Sequence, residues 1–194
     1  IVDVVDGKER WYLQVYRYAP ACCPRDPDHP FELYRAENAA GPWSLVTTLW
    51  DIVTVYHDAR LPDSWMFLGE RRTGNGHLYG TKVLHSDDGG KSVYYVDIDG
   101  PGQEADIRIE SGGKPGVYYA LLPGWETTAN YRTSDGGKTW TKLTTTLDSL
   151  LVHPSRSSEM YSIFADGLIY RSTDQASTWQ PLAKQPEMRI NRSM

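Results

Sequence analysis

Short segments that alternate apolar and polar residues recur along the whole chain, separated by clusters of Gly, Pro, Asn, Asp and Ser. The last quarter reads DSLLVHPS, EMYSIFA, GLIYRSTD and STWQPLA, four segments of strand length rich in β-branched and aromatic residues. Three earlier stretches divide in the same way. The nearest approach to a helical period is TTLDSLLVH, whose β-branched neighbours favour a strand. The pattern predicts an all-β chain of four units with four strands in each.

An octapeptide of the form S/T-x-D-x-G-x-T/S-W occupies the same place in these units. Four stretches share it: TSDGGKTW at 133–140, SDDGGKSV at 86–93, STDQASTW at 172–179 and AENAAGPW at 36–43. The first matches fully, Val93 replaces the tryptophan of the second, Ala176 replaces the glycine of the third, and the fourth is degenerate but keeps Trp43. Their third positions, Asn38, Asp88, Asp135 and Asp174, lie 50, 47 and 39 residues apart. This spacing is typical of β-propeller blades, which are four-stranded sheets.

The chemistry of the octapeptide indicates a turn. Asp-Gly-Gly supplies residues that tolerate the positive φ of tight hairpin connections. The side chains of Thr133 and Asp135 are of the kind that bind backbone N–H groups two or three residues ahead. Trp140 would then begin the next strand and pack its ring into the layer below. We therefore expect a hairpin that is closed by its own side chains.

These octapeptides resemble the Asp-box, or bacterial neuraminidase repeat, of sialidase-like, xyloglucanase-like and sortilin-like β-propellers. The resemblance covers residues 51–185. In that family the motif lies at the outer hairpin between the third and fourth strands of a blade, away from the central channel. The resemblance implies a structural role for these residues: Ser86, Asp88, Gly90, Thr133, Asp135, Gly137, Trp140, Ser172, Asp174 and Trp179.

The repeat and the resemblance together predict a single β-propeller domain over residues 1–194. The expected limits are blades at 1–50, 51–100, 104–146 and 147–185, with a tail at 186–194. Four blades need not close a ring, so we expect the chain to be part of a larger ring or assembly. Because it begins with Ile1, we also expect a processed, trimmed or partial sequence.

Composition narrows the classes of function. Charged residues make up 23% of the 194 residues and the net charge is −5, which argues against disorder and against a basic nucleic-acid surface. No apolar run approaches the roughly 18 residues that span a bilayer. Tyr and Trp number 13 and 7 against 3 Phe, and such amphipathic rings suit surfaces that bind protein or glycan. The expected localisation is extracellular or periplasmic.

Catalytic candidates are few. Sialidases hold a substrate carboxylate with clustered arginines and use a Tyr activated by Glu together with an acidic Asp, since the planar guanidinium pairs bidentately with carboxylates. The candidates here are Asp58 and Arg60 in YHDAR, and Glu70, Arg71 and Arg72 in LGERRTG. The arginine motif that sialidases carry near the N-terminus is absent, and the second group also fits a charged strand end. A xyloglucanase would need two acidic residues facing each other across a cleft between two propellers.

Adjacent Cys22 and Cys23 lie in the insert APACCPRDPDHP. Three interpretations fit the sequence: free thiols, a vicinal disulfide, or part of a metal site with Asp26, Asp28 and His29. Paired zinc ligands are usually separated by two to four residues, which counts against the metal site. We therefore predict no metal and no cofactor.

Two functions remain. The first is a non-catalytic binding or scaffold propeller that holds a protein partner or a glycan, as a subunit or part of a larger assembly. The irregular loops at 19–30, 70–80 and 123–128 suit it. The second is a sialidase-like or other glycoside hydrolase, whole or truncated, which would need more blades and a convergent pair of acids. We expect the first, with no nucleic-acid partner.

Overall fold

A computed structural model describes residues 1–5, 7–16, 30–72, 78–96, 98, 108–122, 128–147, 149–153, 155–164 and 166–182. These residues form sixteen β-strands, and none of them lies in a helix. The described part of the chain accordingly holds no helix long and apolar enough to cross a membrane. The chain divides into two compact units, Ile1–Gly102 and Gln103–Met194.

The first unit contains two four-stranded sheets whose strands follow one another in chain order. Sheet 1 consists of β1 (Val2–Val5), β2 (Lys8–Tyr16), β3 (Phe31–Ala36) and β4 (Ser44–Leu49). Sheet 2 consists of β5 (Ile52–His57), β6 (Trp65–Arg72), β7 (Leu78–Ser86) and β8 (Tyr94–Val96). Every neighbouring pair is antiparallel.

The second unit repeats this arrangement with shorter strands. Sheet 3 consists of β9 (Arg108–Ser111), β10 (Tyr118–Leu122), β11 (Ala129–Thr133) and β12 (Thr141–Lys142). Sheet 4 consists of β13 (Leu151–Val152), β14 (Met160–Ile163), β15 (Ile169–Ser172) and β16 (Gln180–Pro181). All pairs are again antiparallel. Four such up-and-down sheets are the construction of propeller blades, so the predicted fold class is confirmed.

Each unit buries the facing sides of its two sheets. In the first unit the core joins Tyr12, Phe31 and Leu33 of sheet 1 to Ile52, Trp65 and Phe67 of sheet 2. In the second unit it joins sheets 3 and 4 and their connection through Val117, Tyr119, Leu121, Leu147, Leu150, Met160 and Ala176. Side chains alternate between the two faces of a strand, so these positions define which face of each sheet is covered.

The segment TTLDSLLVH, the nearest to a helical period, contributes core residues and a short strand. Leu147 and Leu150 are buried in the second unit, and β13 begins directly afterwards at Leu151.

The predicted assignment of one domain to residues 1–194 stays a prediction.

Candidate functional site

Three octapeptides fold into the same hydrogen-bonded turn between the third and fourth strands of their sheets. The hydroxyl at the first position donates to the carboxylate at the third and accepts the backbone N–H of the fifth. The two distances are 2.9 and 2.8 Å for Ser86, 2.7 and 3.0 Å for Thr133, and 2.8 and 3.0 Å for Ser172. One oxygen atom thus ties together both sides of each turn.

The carboxylate completes the closure by binding the residue at the seventh position. Asp135 accepts the backbone N–H of Thr139 at 3.0 Å, its hydroxyl at 2.6 Å, and the N–H of Lys138 at 3.1 Å. Asp174 binds the N–H and hydroxyl of Thr178 at 2.8 and 2.6 Å, and Asp88 binds both groups of Ser92. The acidic side chains of the motif are therefore engaged within their own turns.

These bonds stabilise the charged carboxylates. The hydroxyl of Ser92 is the main cause that lowers the pKa of Asp88 to about 2, from an ordinary value of 3.8. Burial acts to raise the pKa of Asp135, but the bonds from Thr139, Thr133 and Lys138 outweigh it and lower that pKa to about 2. The hydroxyl of Thr178 likewise lowers the pKa of Asp174. All three groups are ionised at neutral pH, which suits an acceptor and not a general acid.

The fourth and fifth positions of the turn adopt the left-handed backbone conformation in all three copies. Glycines provide it in sheets 2 and 3, where φ lies between 76° and 101°. In sheet 4 the same conformation is held by Gln175 at φ 60° and Ala176 at φ 67°. Because a side chain is disfavoured there, the surrounding hydrogen bonds must hold the turn in shape.

Within each unit the turn also contacts the neighbouring sheet. A Cβ atom added to Gly90 would lie 2.8 Å from Cδ2 of Leu33 in sheet 1. In the second unit the hydroxyl of Tyr119 donates to the carbonyl oxygen of Gln175 at 3.0 Å, and Arg132 donates to its side-chain oxygen. The turn therefore fastens one sheet to the next as well as closing a hairpin.

The two motif tryptophans follow these turns. Trp140 lies one residue before β12, not within it, and its indole N–H donates to the carbonyl oxygen of Gly137 at 3.0 Å. Trp179 packs edge-on against Phe164, with ring centroids 5.5 Å apart. Both rings stay partly exposed, so they cover the turn and its neighbours without entering the centre of the core.

The degenerate copy in sheet 1 forms a different turn. Ala36 stands where the first-position hydroxyl would be, and the side-chain oxygen of Asn38 accepts the N–H of Ala40 at 3.0 Å. The carbonyl of Asn38 accepts the N–H of Gly41, and a cis peptide bond joins Gly41 to Pro42. Sheet 1 therefore lacks the octapeptide turn.

The structure separates the catalytic candidates. Asp58, directly after β5, is held bidentately by Arg60 two residues away, at 2.8 and 2.6 Å. Glu70, Arg71 and Arg72 end β6, and their backbones pair with Thr81, Gly80 and Leu78. Since His57 pairs with Trp65 and Ile52 with Gly69, the two groups lie at opposite ends of the β5–β6 hairpin.

The predicted cysteine sites, Cys22 and Cys23 with Asp26, Asp28 and His29, lie outside the described residues. Among the residues that are described, no three His, Cys, Asp or Glu side chains come together as metal ligands.

A buried hydrogen-bonded pair that the sequence did not reveal links the sheets of the first unit. Nε2 of His57 lies 2.7 and 2.8 Å from the two carboxylate oxygens of Asp3, and both side chains are almost fully buried. Nδ1 of His57 lies 3.2 Å from the carbonyl oxygen of Ser64, and the ring stacks on Trp65 at 4.1 Å. The partners are 54 residues apart, so spacing gives no signal for the pair.

A second buried histidine joins two loops of sheet 2. Nε2 of His85 lies 3.2 Å from the hydroxyl of Ser64, and its Nδ1 lies 2.6 Å from the hydroxyl of Tyr94. That hydroxyl donates to Asp87 at 3.0 Å. The ring is fully buried, so this chain of bonds connects the segment before β6 to the segment before β8.

Comparison with known proteins finds similarity only at the level of structure. No family model and no curated protein matches the sequence. Among solved structures, the GH74 xyloglucanase from Xanthomonas campestris aligns over 78% of this chain with 16% identity and a TM-score of 0.49. YCF48 bound to D1 peptide aligns over 93% with 18% identity and a TM-score of 0.41, and the GH74 enzyme of Niastella koreensis aligns over 81% with 13% identity and a TM-score of 0.37.

This chain spans only part of those proteins. It covers 26% of the Xanthomonas enzyme, 60% of YCF48 and 29% of the Niastella enzyme. Those neighbours are β-propeller proteins, but the TM-scores are below 0.5. The fold assignment therefore rests on the four sheets of the chain itself.

Proposed function

We propose that this chain is a non-catalytic scaffold of the Asp-box propeller family that binds a protein partner or a glycan as part of a larger assembly. The observation that carries the proposal is a contrast between two sets of described side chains. The motif carboxylates are engaged within their turns, whereas large apolar side chains are exposed: Leu13, Leu45, Trp50, Tyr95 and Leu151. Exposed apolar side chains are suited to binding, and all of these except Trp50 lie on strands.

The family assignment has support from the geometry of the turns. Three turns between third and fourth strands repeat one network of hydroxyl, carboxylate and backbone bonds. Such a network stabilises a hairpin and needs no ligand. We extend the proposal to an extracellular or periplasmic location, where a scaffold of this kind would meet proteins and glycans.

Glycoside hydrolysis is the second candidate because of one residue. Burial raises the pKa of Glu110 on β9, against the opposing effect of Arg108. A carboxyl group with a raised pKa can act as the general acid that protonates a leaving-group oxygen. The reaction also needs a second carboxylate about 5–10 Å away, so Glu110 alone supports the hydrolase less well than the exposed apolar side chains support a scaffold.

Two measurements on the 194-residue chain separate these functions. A panel of fluorogenic glycosides, including sialosides and xyloglucan oligosaccharides, should show no turnover above a heat-denatured control. A glycan array and a random dodecapeptide library should yield at least one ligand that binds reversibly at micromolar concentration. Turnover that is lost in a Glu110→Gln variant would overturn the scaffold proposal and establish the hydrolase.

A further inference from the structure

One face of sheet 1 is apolar but uncovered within the first unit. The strand register places its side chains in a continuous row, because Val2 pairs with Trp11, Leu13 with Tyr34, and Tyr34 with Leu45. We call this row, with Val4, the open face: Val2, Val4, Trp11, Leu13, Tyr34 and Leu45. Val4 is 66% exposed, Leu13 46% and Leu45 53%.

The opposite face of the same strands is fully used. Tyr12 and Leu33, the immediate neighbours of Leu13 and Tyr34, are 4% and 0% exposed in the core shared with sheet 2. Strands with apolar residues on both sides are typical of sheets that are covered on both sides. Sheet 1 therefore has apolar residues on both faces, like a sheet that is covered on both sides, but only one of its faces is covered.

The charges on the open face have one sign. Glu9 pairs with Val4 across β1 and β2, and Glu32 lies two residues before Tyr34. Glu9 accepts the indole N–H of Trp11 at 2.9 Å, and Glu32 accepts the hydroxyl of Tyr34 at 3.0 Å. Among the described residues of this face, no basic side chain accompanies them, since Lys8 and Arg10 alternate to the other side.

The turn of sheet 1 argues against another propeller blade as the occupant. In both units the octapeptide turn of one sheet reaches across to the preceding sheet, as Gly90 does to Leu33 and Gln175 does to Tyr119. Sheet 1 lacks this turn because Ala36 has no hydroxyl, and residues 37–40 are exposed. One of the contacts that hold these sheets on a preceding sheet, in addition to the apolar core, is therefore absent here.

We propose that the open face is the docking surface for a partner protein segment in which apolar side chains alternate with lysine or arginine. The inference rests on the proposed scaffold function and assigns its partner class. Apolar side chains of the segment cover Val4, Leu13 and Leu45, and its basic groups lie beside Glu9 at the rim. An anionic membrane or a nucleic acid is disfavoured because carboxylates on the face repel phosphate.

The test selects ligands without assuming their sequence. A random dodecapeptide library is panned against the chain, with counter-selection against a Leu13→Asp variant, and affinities are then measured by fluorescence polarisation. Leu13 is already exposed, so the substitution should leave the unfolding midpoint unchanged; Leu45→Asp serves as a second variant if it does not. The matched control is Leu151→Asp, at an exposed leucine of sheet 4.

The expected ligands alternate apolar and basic residues and lose at least tenfold in affinity with Leu13→Asp or Leu45→Asp, but not with Leu151→Asp. Glu9→Gln keeps an acceptor for Trp11 and removes the charge, so it should weaken binding about threefold to fivefold and reduce the salt dependence. Glu37→Gln, at an exposed glutamate outside the open face, should change neither.

Several outcomes would overturn the inference. Peptides that bind equally well to Leu13→Asp would place the partner site elsewhere and leave the scaffold proposal standing, whereas no peptide or glycan ligand at all would count against both. Ligands rich in acidic residues would refute the stated partner chemistry. Self-association that Leu13→Asp abolishes, or sedimentation with vesicles containing phosphatidylserine, would give the open face to a second copy or to a membrane instead.

Discussion

Replacing Asp135 by alanine removes the acceptor of four hydrogen bonds at once: those from the hydroxyl of Thr133, the N–H of Lys138, and the N–H and hydroxyl of Thr139. At the lower end of the usual contribution, about 0.5 kcal/mol for each bond, the loss is about 2 kcal/mol. Removing a comparable side-chain cap at a helix end costs about 1 kcal/mol. We therefore expect the free energy of unfolding to fall by about 1–2 kcal/mol.

The pKa of Asp135 gives a second magnitude for the effect of the same hydrogen bonds. A shift from 3.8 to about 2 corresponds to at most about 2.4 kcal/mol of preference for the charged form. Asp135 is exposed, so solvent screening reduces this figure to about 1–2 kcal/mol. The folded pKa lies below the unfolded value, so this stabilisation is complete above about pH 4 and is lost as the pH falls towards 2.

Urea unfolding followed by tryptophan fluorescence at pH 7 and pH 2.5 provides the assay. The difference between the natural chain and Asp135→Ala should be largest at pH 7 and clearly smaller at pH 2.5. Asp135→Asn keeps one acceptor oxygen without the charge. At pH 7 its free energy of unfolding should lie between those of the natural chain and Asp135→Ala, and position 135 should then add almost no pH dependence to the stability. Ser134→Ala, at the exposed neighbouring position, is the control and should change stability by less than about 0.5 kcal/mol. An equal loss at both pH values would refute the attribution to the ionised carboxylate.

Three further outcomes are expected. Gly90→Ala should destabilise the chain by more than about 2 kcal/mol in urea unfolding, because the new methyl group would lie 2.8 Å from Leu33. Gly7 has φ 73°, but a Cβ atom added there would meet no atom within 4 Å, so Gly7→Ala should lower the free energy of unfolding by only about 1 kcal/mol. Equal losses for Gly7→Ala and Gly90→Ala would refute the packing argument. Asp3→Ala should lower the free energy of unfolding by about 1–3 kcal/mol, because it leaves the buried Nε2 of His57 without its partner. Adding His57→Phe should recover part of that loss in urea unfolding, and no recovery would contradict this account. Far-ultraviolet circular dichroism should give a helix content below about one fifth, and a higher value would contradict the all-β assignment.

The strands of each sheet were predictable because the signals for them lie in short segments of the sequence. Period-two alternation gives the strands, and the hydroxyl–carboxylate–hydroxyl spacing of the octapeptide gives the hairpin between the third and fourth strands. Because these signals need fewer than ten residues, they also indicate β12 and β16, which are only two residues long. The copy in sheet 1 lacks the hydroxyl–carboxylate–hydroxyl pattern and keeps Trp43, and it folds into another turn.

The contacts between sheets were not predictable in this way. The pairing of Asp3 with His57 depends on how β1 and the end of β5 come together, and nothing in the local sequence of either residue marks it. The bonds from Ser64 through His85 to Tyr94 lie within sheet 2, but they depend on the strand register that places His85 opposite Tyr94. Periodicity also cannot distinguish the exposed apolar row of the open face from a buried one. Both faces of sheet 1 carry apolar residues, as the exposed Leu13 and its buried neighbour Tyr12 show.

The left-handed pair Gln175 and Ala176 has a consequence for which residues this turn can accommodate. Sheet 4 keeps the turn without either glycine, while Ser172 still bonds Asp174 and the N–H of Ala176, and Asp174 still binds the N–H and hydroxyl of Thr178. Glycine is thus dispensable where the neighbouring sheet leaves room for a side chain, as at Ala176, but not where it is in close contact, as at Gly90. The three oxygen-bearing side chains are the part that closes the turn in each copy, so a designer could vary the two left-handed positions of sheet 4 to alter its contacts with the neighbouring sheet.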